Sequence, residues 1–132
     1  MTESINWSLN VQVIGGPKVM ASDTKEIEAY DKIEVTIEAG TTEQVEIQPG
    51  GDGRVQFLLI KSDTYSNDIE KLTYKVNELT TIIELDALQV FIGNGAVELL
   101  TKPPEKLVFT NDLATPVSIE ILVGRMAIVP PE

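Results

Sequence analysis

The chain has 132 residues, 42% hydrophobic and 23% charged, which fits one globular domain and argues against disorder. Its 10 Lys and Arg residues against 21 Asp and Glu residues give a formal net charge of -11, which opposes binding to nucleic-acid phosphates. The absence of His and Cys excludes Ser-His-Asp and Cys-His catalysis and removes the side chains that most often bind zinc.

The first residues and the apolar runs of the chain indicate a soluble protein. Residues 1–7 contain no basic region and no long apolar run, so no signal peptide is predicted. No stretch approaches the roughly 18 consecutive apolar residues of a membrane span. We therefore expect a protein that is cytoplasmic when it is synthesised and that has no membrane partner.

Alternation of apolar and polar residues begins near the N-terminus and predicts a strand with one buried face. The apolar positions are Ile5, Trp7, Leu9, Val11 and Val13, and Gly15-Gly16-Pro17 ends the strand. Because Trp7 lies on the apolar side, we expect it in the core. Residues 18–22 form a candidate short edge strand, and residues 27–30 a weaker candidate.

A second alternation runs from residue 33 to residue 47 and predicts a hairpin. Ile33, Val35 and Ile37 form one apolar side, and Val45 and Ile47 continue it. Residues 39–42 are the expected hairpin connection, and residues 49–53 carry the strongest turn signal in the chain. Glu34, Glu38 and Glu46 are then expected on the polar face of this one hairpin.

The middle of the chain allows two interpretations. Residues 55–60 are nearly all apolar, which is typical of a strand covered on both faces. Between residues 68 and 79, apolar residues recur at spacings of three or four, which fits a helix capped by Asn67 or Asp68. The same segment is rich in strand-favouring residues, so we prefer strand–turn–strand with the turn at Asn77-Glu78.

The C-terminal half adds further strand candidates at residues 85–92, 96–100, 106–110 and 117–123. Residues 93–95 are expected to form a turn, and residues 129–132 a loose Pro-rich tail. Eight to ten short strands with a turn signal about every ten residues predict an all-β fold. The expected architecture is a single antiparallel β-sandwich over residues 1–132, with a barrel as the alternative.

Clustered carboxylates are the first candidate site. Seven lie between Glu26 and Glu46, with Lys32 as the one basic residue among them. Glu34, Glu38 and Glu46 are candidates for binding a basic partner, or a cation weakly. The alternative, which we favour, is a solvated sheet face that keeps the protein soluble.

The loop from residue 62 to residue 68 is the second candidate. Asp63, Asn67 and Asp68 offer oxygen ligands for calcium, but their spacing does not match an EF-hand loop. We therefore favour a polar loop in which these side chains bind the local backbone. Tyr65 in this loop is the candidate aromatic platform for a glycan.

No catalytic residue and no cofactor site is predicted, and we expect no enzyme activity. No carboxylate pair stands out for glycoside hydrolysis. The glycines at 50–53 are not accompanied by the Lys of a phosphate-binding loop. Arg125 follows an apolar strand, so we expect it to bind a carboxylate within the chain or across an interface.

The alternating segments at residues 5–13, 33–47, 57–63 and 117–125 together resemble small jelly-roll proteins that coat or build viral particles. The resemblance is to the capsid decoration (cement) proteins of tailed phages. It implies a jelly-roll-like sandwich that forms a homo-oligomer, expected to be a trimer, on a larger protein assembly. The expected function is therefore a non-enzymatic structural or assembly module of a virus- or phage-like particle. A carbohydrate- or other ligand-binding module is the alternative.

Overall fold

A computed structural model of the chain describes residues 3–47, 54–101 and 104–126. Within these residues the chain forms ten strands and one short helix. In chain order they are β1 (Glu3–Gln12), β2 (Lys18–Ile27), β3 (Ala29–Ile37), β4 (Thr42–Glu46), β5 (Arg54–Ser62), β6 (Leu72–Val76), β7 (Ile83–Glu84), β8 (Gln89–Ile92), α1 (Asn94–Val97), β9 (Lys106–Asn111) and β10 (Val117–Met126). No helix in the described ranges is long and apolar enough to cross a membrane.

Eight of the strands form an antiparallel sandwich, which confirms the predicted all-β fold. The first sheet has the order β3-β10-β5-β8, and the second has the order β4-β9-β6-β7. The paired strands within each sheet are antiparallel. The remaining strands, β1 and β2, pair only with each other in a sheet of their own.

The core lies between the two four-stranded sheets. Ile119 and Ile121 on β10 are fully buried, as the alternation of that strand predicts. Tyr74 and Phe109 face them from the second sheet, with their ring centroids 5.5 Å apart. Such a ring pair adds about 0.5–1.5 kcal/mol to the effect of burial alone.

The predicted hairpin over residues 33–47 is wrong. β3 hydrogen-bonds to β10 in the first sheet, and β4 hydrogen-bonds to β9 in the second. Residues 39–42 therefore cross between the sheets. Gly40 has a φ of 77°, and the Thr41 hydroxyl donates to the Glu38 carbonyl over 2.7 Å. A tight crossing uses the same Gly and Thr residues as a hairpin turn, so local sequence does not distinguish them.

The segment from residue 68 to residue 79 contains a strand followed by a turn, in agreement with the strand–turn–strand interpretation and not with the helix. β6 ends at Val76, and Asn77 turns the chain with a φ of 55°. The Asn77 side chain fixes this turn because its carbonyl oxygen accepts from the backbone N–H of Glu105 and Lys106. Ile69, one of the apolar positions that suggest the alternative helix, is 90% exposed.

The prediction of a strand at residues 96–100 is wrong, because the chain forms the short helix α1 and a turn in this region. Gly93, with a φ of 93°, bends the chain into α1. The Asn94 side-chain amide donates to the Val55 carbonyl over 3.2 Å, and Val97 is buried in the core. Five residues are too few for periodicity to separate a strand from one helical turn.

The turn at residues 49–53 and the tail at 129–132 lie outside the described residues.

Candidate interaction surface

The two N-terminal strands form a long hairpin that we call the arm, residues 3–27. The predicted short strand at residues 18–22 is part of the ten-residue β2, which pairs with β1 along its whole length. The Val13 N–H donates to the Pro17 carbonyl over 2.9 Å, and Gly15 with a φ of 77° turns the tip. Strands of ten residues make the arm about 30 Å long.

The arm has one polar and one apolar face. Directly opposed residues share a face in an antiparallel pair, so the register assigns every side chain. The Thr24 hydroxyl donates to the Asn6 side-chain oxygen on the polar face over 2.8 Å. The apolar face consists of Trp7, Leu9, Val11, Val13, Val19 and Ala21. Towards the base of the arm the same face also has Asp23, opposite Trp7, and Lys25, opposite Ile5.

Most of the apolar face is open to solvent in this single chain. Leu9 is 52% exposed, Val11 53% and Ile14 at the tip fully exposed. The expectation that Trp7 lies in the core is wrong, because it sits part-way along the arm and is only half-buried. Alternation correctly predicted an amphipathic strand, but the sandwich does not cover its apolar side.

The base of the arm is fixed to the outer face of the first sheet. Ile27 is fully buried there, outside the core between the sheets. A Cβ on Gly124 of β10 would lie 2.9 Å from Cδ1 of Ile5 and 3.1 Å from Cδ1 of Ile27. Glycine at this position therefore lets the base of the arm contact the backbone of β10 directly.

Arg125 is bound to a carboxylate within the chain, as expected. Its Nη1 donates to Asp31 Oδ2 over 2.6 Å and to the Ile47 carbonyl over 3.0 Å. Asp31 belongs to the first sheet and Ile47 follows β4 of the second, so this side chain ties the two sheets together. The Arg125 carbonyl also accepts from the Glu28 N–H over 2.9 Å, just where the arm joins β3.

A second apolar surface lies beside the base of the arm on the same outer face. Leu122, Leu59 and Val90 are cross-strand neighbours on β10, β5 and β8. Val90 is 40% exposed and the other two are half-buried. We call these three residues the outer patch. Leu122 also lines a shallow depression with Ile5 and Ile27, so the outer patch meets the arm at its base.

The predicted acidic face does not form. Glu34 lies in the first sheet, Glu46 lies in the second, and Glu38 is at the crossing between them. Lys32 lies 3.4 Å from Glu34 and 3.5 Å from Glu120. Hydrogen bonds and charge from these two carboxylates raise the pKa of Lys32. The three predicted carboxylates therefore do not share the polar face of one hairpin.

Side chains of the polar loop after β5 bind backbone N–H groups. Asp63 Oδ1 accepts from the Ser118 N–H over 3.0 Å, and Asn67 Oδ1 accepts from the N–H groups of Ile69 and Glu70. Asp68 is exposed in the same loop. The Asn67 bonds are the local backbone bonds of the favoured interpretation, whereas Asp63 binds the backbone of β10. Across the described ranges, no three His, Cys, Asp or Glu side chains come together as metal ligands would.

Tyr65, the candidate glycan platform, is only partly exposed. Its ring packs against the core, and its hydroxyl accepts from the Ser62 N–H over 3.3 Å. Tyr30, at the base of the arm, is 55% exposed.

Sequence reasoning missed the arm as a surface. The available signal was a pair of strand-length segments flanking Gly15-Gly16-Pro17, with apolar residues on both sides of the turn. Such a pair predicts a hairpin. It does not predict that the hairpin extends beyond the sandwich.

Comparisons of the chain with protein-family models, with curated proteins and with solved structures each returned no match.

Proposed function

We propose that this protein is a non-enzymatic structural or assembly module that serves as a component or decoration protein of a virus- or phage-like particle. The observation that carries the proposal is the arm, which offers an exposed apolar face about 23 Å long between Trp7 and the tip. Large exposed apolar surfaces on soluble proteins mark interaction sites more often than they mark plain surface.

The strand order supports a jelly-roll interpretation of the sandwich. Counting β3 as the first sandwich strand and β10 as the eighth, the sheets have the orders 1-8-3-6 and 2-7-4-5. The first and last strands are therefore neighbours, and so are the second and seventh, which is a nested arrangement of Greek keys. Jelly rolls build many viral capsid domains, although a fold by itself is only an analogy for function.

The buried polar groups support a role without catalysis. Asn111 is fully buried, and its amide donates to the carbonyls of Ile37 and Thr115 over 3.0 Å each. Its side-chain oxygen accepts from the Leu113 N–H. Ser62, also buried, donates to the Thr64 carbonyl. Both side chains serve the fold by satisfying backbone groups, as buried polar residues in structural positions do.

The test is coexpression of the tagged chain with the coding sequences that flank its own gene, followed by gradient sedimentation and electron microscopy. We expect the chain to sediment with a large particle and to occupy it in regular copy number. A chain that stays at the top of the gradient while particles form without it would overturn the proposal. A panel of soluble oligosaccharides, read by Trp7 fluorescence, tests the ligand-binding alternative, which predicts a saturable response.

A further inference from the structure

We propose that the apolar face of the arm packs against the outer patch of a second copy of this chain, so that copies exchange arms. This inference rests on the proposed assembly function and names the partner of the arm. The argument uses charge, area and the fit between the two exposed apolar surfaces.

Charge favours an acidic partner for the arm. From Ser8 to Ser22 the arm has one charged residue, Lys18, and no carboxylate. The chain as a whole has a formal net charge of -11. This outer part of the arm can approach an acidic copy without the repulsion that like charges cause, and Asp23, opposite Trp7, lies nearer the base. A basic partner would instead select for carboxylates on the arm.

The area of the contact favours mutual exchange. The apolar face from Trp7 to the tip at Ile14 is about 23 Å long and about 10 Å wide, which is roughly 230 Å². A copy that donates one arm and receives another would bury about 460 Å², more than half of the roughly 800 Å² per partner of a standard interface. A partner without an arm of its own would bury only about half of that. Exchange within a pair or a closed ring gives every copy both contacts.

The chain itself supplies the surface that such an arm needs. The outer patch begins where the arm leaves the sheet, at the depression shared by Ile5, Ile27 and Leu122. Each copy therefore presents a donor face and an acceptor patch side by side. An isolated two-stranded hairpin is only marginally stable in water, so packing on a second copy also stabilises the arm.

The first experiment compares two variants that add the same charge at neighbouring positions. Val11→Lys places the charge on the apolar face, and Asn10→Lys places it on the polar face at nearly the same distance from the sandwich. Light scattering on a sizing column should give a multiple of 14.5 kDa for the parent chain and for Asn10→Lys. Val11→Lys should be monomeric, with association weakened at least tenfold. Circular dichroism checks that all three proteins are folded.

The second experiment tests whether the arm of one copy contacts the outer patch of another. The chain has no Cys, so single introduced thiols report contacts without background. Differently tagged Leu9→Cys and Val90→Cys chains are mixed and oxidised. A disulfide between the two tags supports the outer patch, whereas disulfides formed only between Leu9→Cys chains overturn it.

Two outcomes reject the second copy as partner. One is a monomeric parent chain at the highest soluble concentration, and the other is equal self-association of both lysine variants. If the monomeric chain still sediments with a particle and Val11→Lys does not, the arm binds another particle subunit. The proposed function then stands and the arm exchange fails.

Discussion

β10 and β1 make an instructive pair because they have the same length and the same alternating pattern. β10 (Val117–Met126) lies between β3 and β5, and its apolar side is buried against the second sheet. β1 (Glu3–Gln12) pairs only with β2, and in the described part of the chain no second sheet faces the outer half of the arm. Alternation specifies which side of a strand must be covered. It does not specify what covers it.

The two strands also differ in what their apolar side chains contribute to stability. Ile119 and Ile121 are fully buried, and each contributes about 1.5–3 kcal/mol relative to an exposed side chain. Leu9 and Val11 retain about half of their exposure, so in a single copy they contribute only part of that free energy. The sandwich is therefore expected to fold on its own core, with the arm adding little to the stability of a single copy.

Removing a core ring should have the largest effect. Phe109→Ala deletes a fully buried ring that packs on Tyr74, and we expect the free energy of unfolding to fall by about 3–5 kcal/mol. Urea unfolding followed by circular dichroism measures the change. A loss below about 1 kcal/mol, at the level of typical surface substitutions, would mean that the core is not where the fold derives its stability.

A substitution that separates the base of the arm from β10 should cause the next largest loss of stability. Gly124→Val places methyl groups where the side chains of Ile5 and Ile27 already lie, and we expect a cost of about 1–3 kcal/mol. Hydrogen exchange should show faster exchange of the amides of β1 and β2, with β9 unchanged. Gly95→Val is the matched control, because the space around Gly95 is open. Equal exchange in both variants would show that Gly124 does not hold the arm.

The sequence was informative wherever local pattern and tertiary environment agreed. Strands β5, β6, β9 and β10 were predicted because each has its alternation or apolar run satisfied by the opposite sheet. The Arg125 contact was predicted because an arginine in an acidic chain rarely lacks a carboxylate. Neither inference needed long-range information.

Prediction failed where two long-range arrangements share one local signal. Residues 39–42 have the composition of a hairpin turn, yet pairing of β3 with β10 and of β4 with β9 makes them a crossing. The separation of Glu34 from Glu46 follows from that crossing alone. For Trp7, the pattern was right and the missing fact was the position of the arm outside the sandwich.

Substitution of Tyr74 in the sandwich core is expected to change stability less, and its effect should depend on pH. Its hydroxyl donates to Gln89 Oε1 over 2.6 Å, so Tyr74→Phe should cost about 0.5–1.5 kcal/mol at neutral pH. Burial raises the pKa of Tyr74 above its usual value of 10.0. The unfolded chain therefore ionises first, and this contribution to stability is complete below pH 10 and lost as the pH rises above it.

Urea unfolding of the parent chain and of Tyr74→Phe across pH 8–11 isolates this residue, because the other tyrosines and the lysines titrate alike in both proteins. We expect the difference in stability to shrink, and the parent chain to lose its advantage, above pH 10. Parallel pH curves would indicate that the hydroxyl reaches solvent in the folded protein.

The smallest effect is expected on the arm, and it should depend on concentration. Leu9→Ala removes a side chain that is half exposed in a single copy, so at nanomolar protein its cost should stay within about 0.5 kcal/mol. At high protein concentration, the proposed association would stabilise the folded parent chain by mass action, and the variant should then unfold at clearly lower temperature. Thermal unfolding across a concentration series measures both regimes. A large cost already at nanomolar protein would mean that the sandwich covers Leu9 in solution, and the contrast between β1 and β10 would disappear.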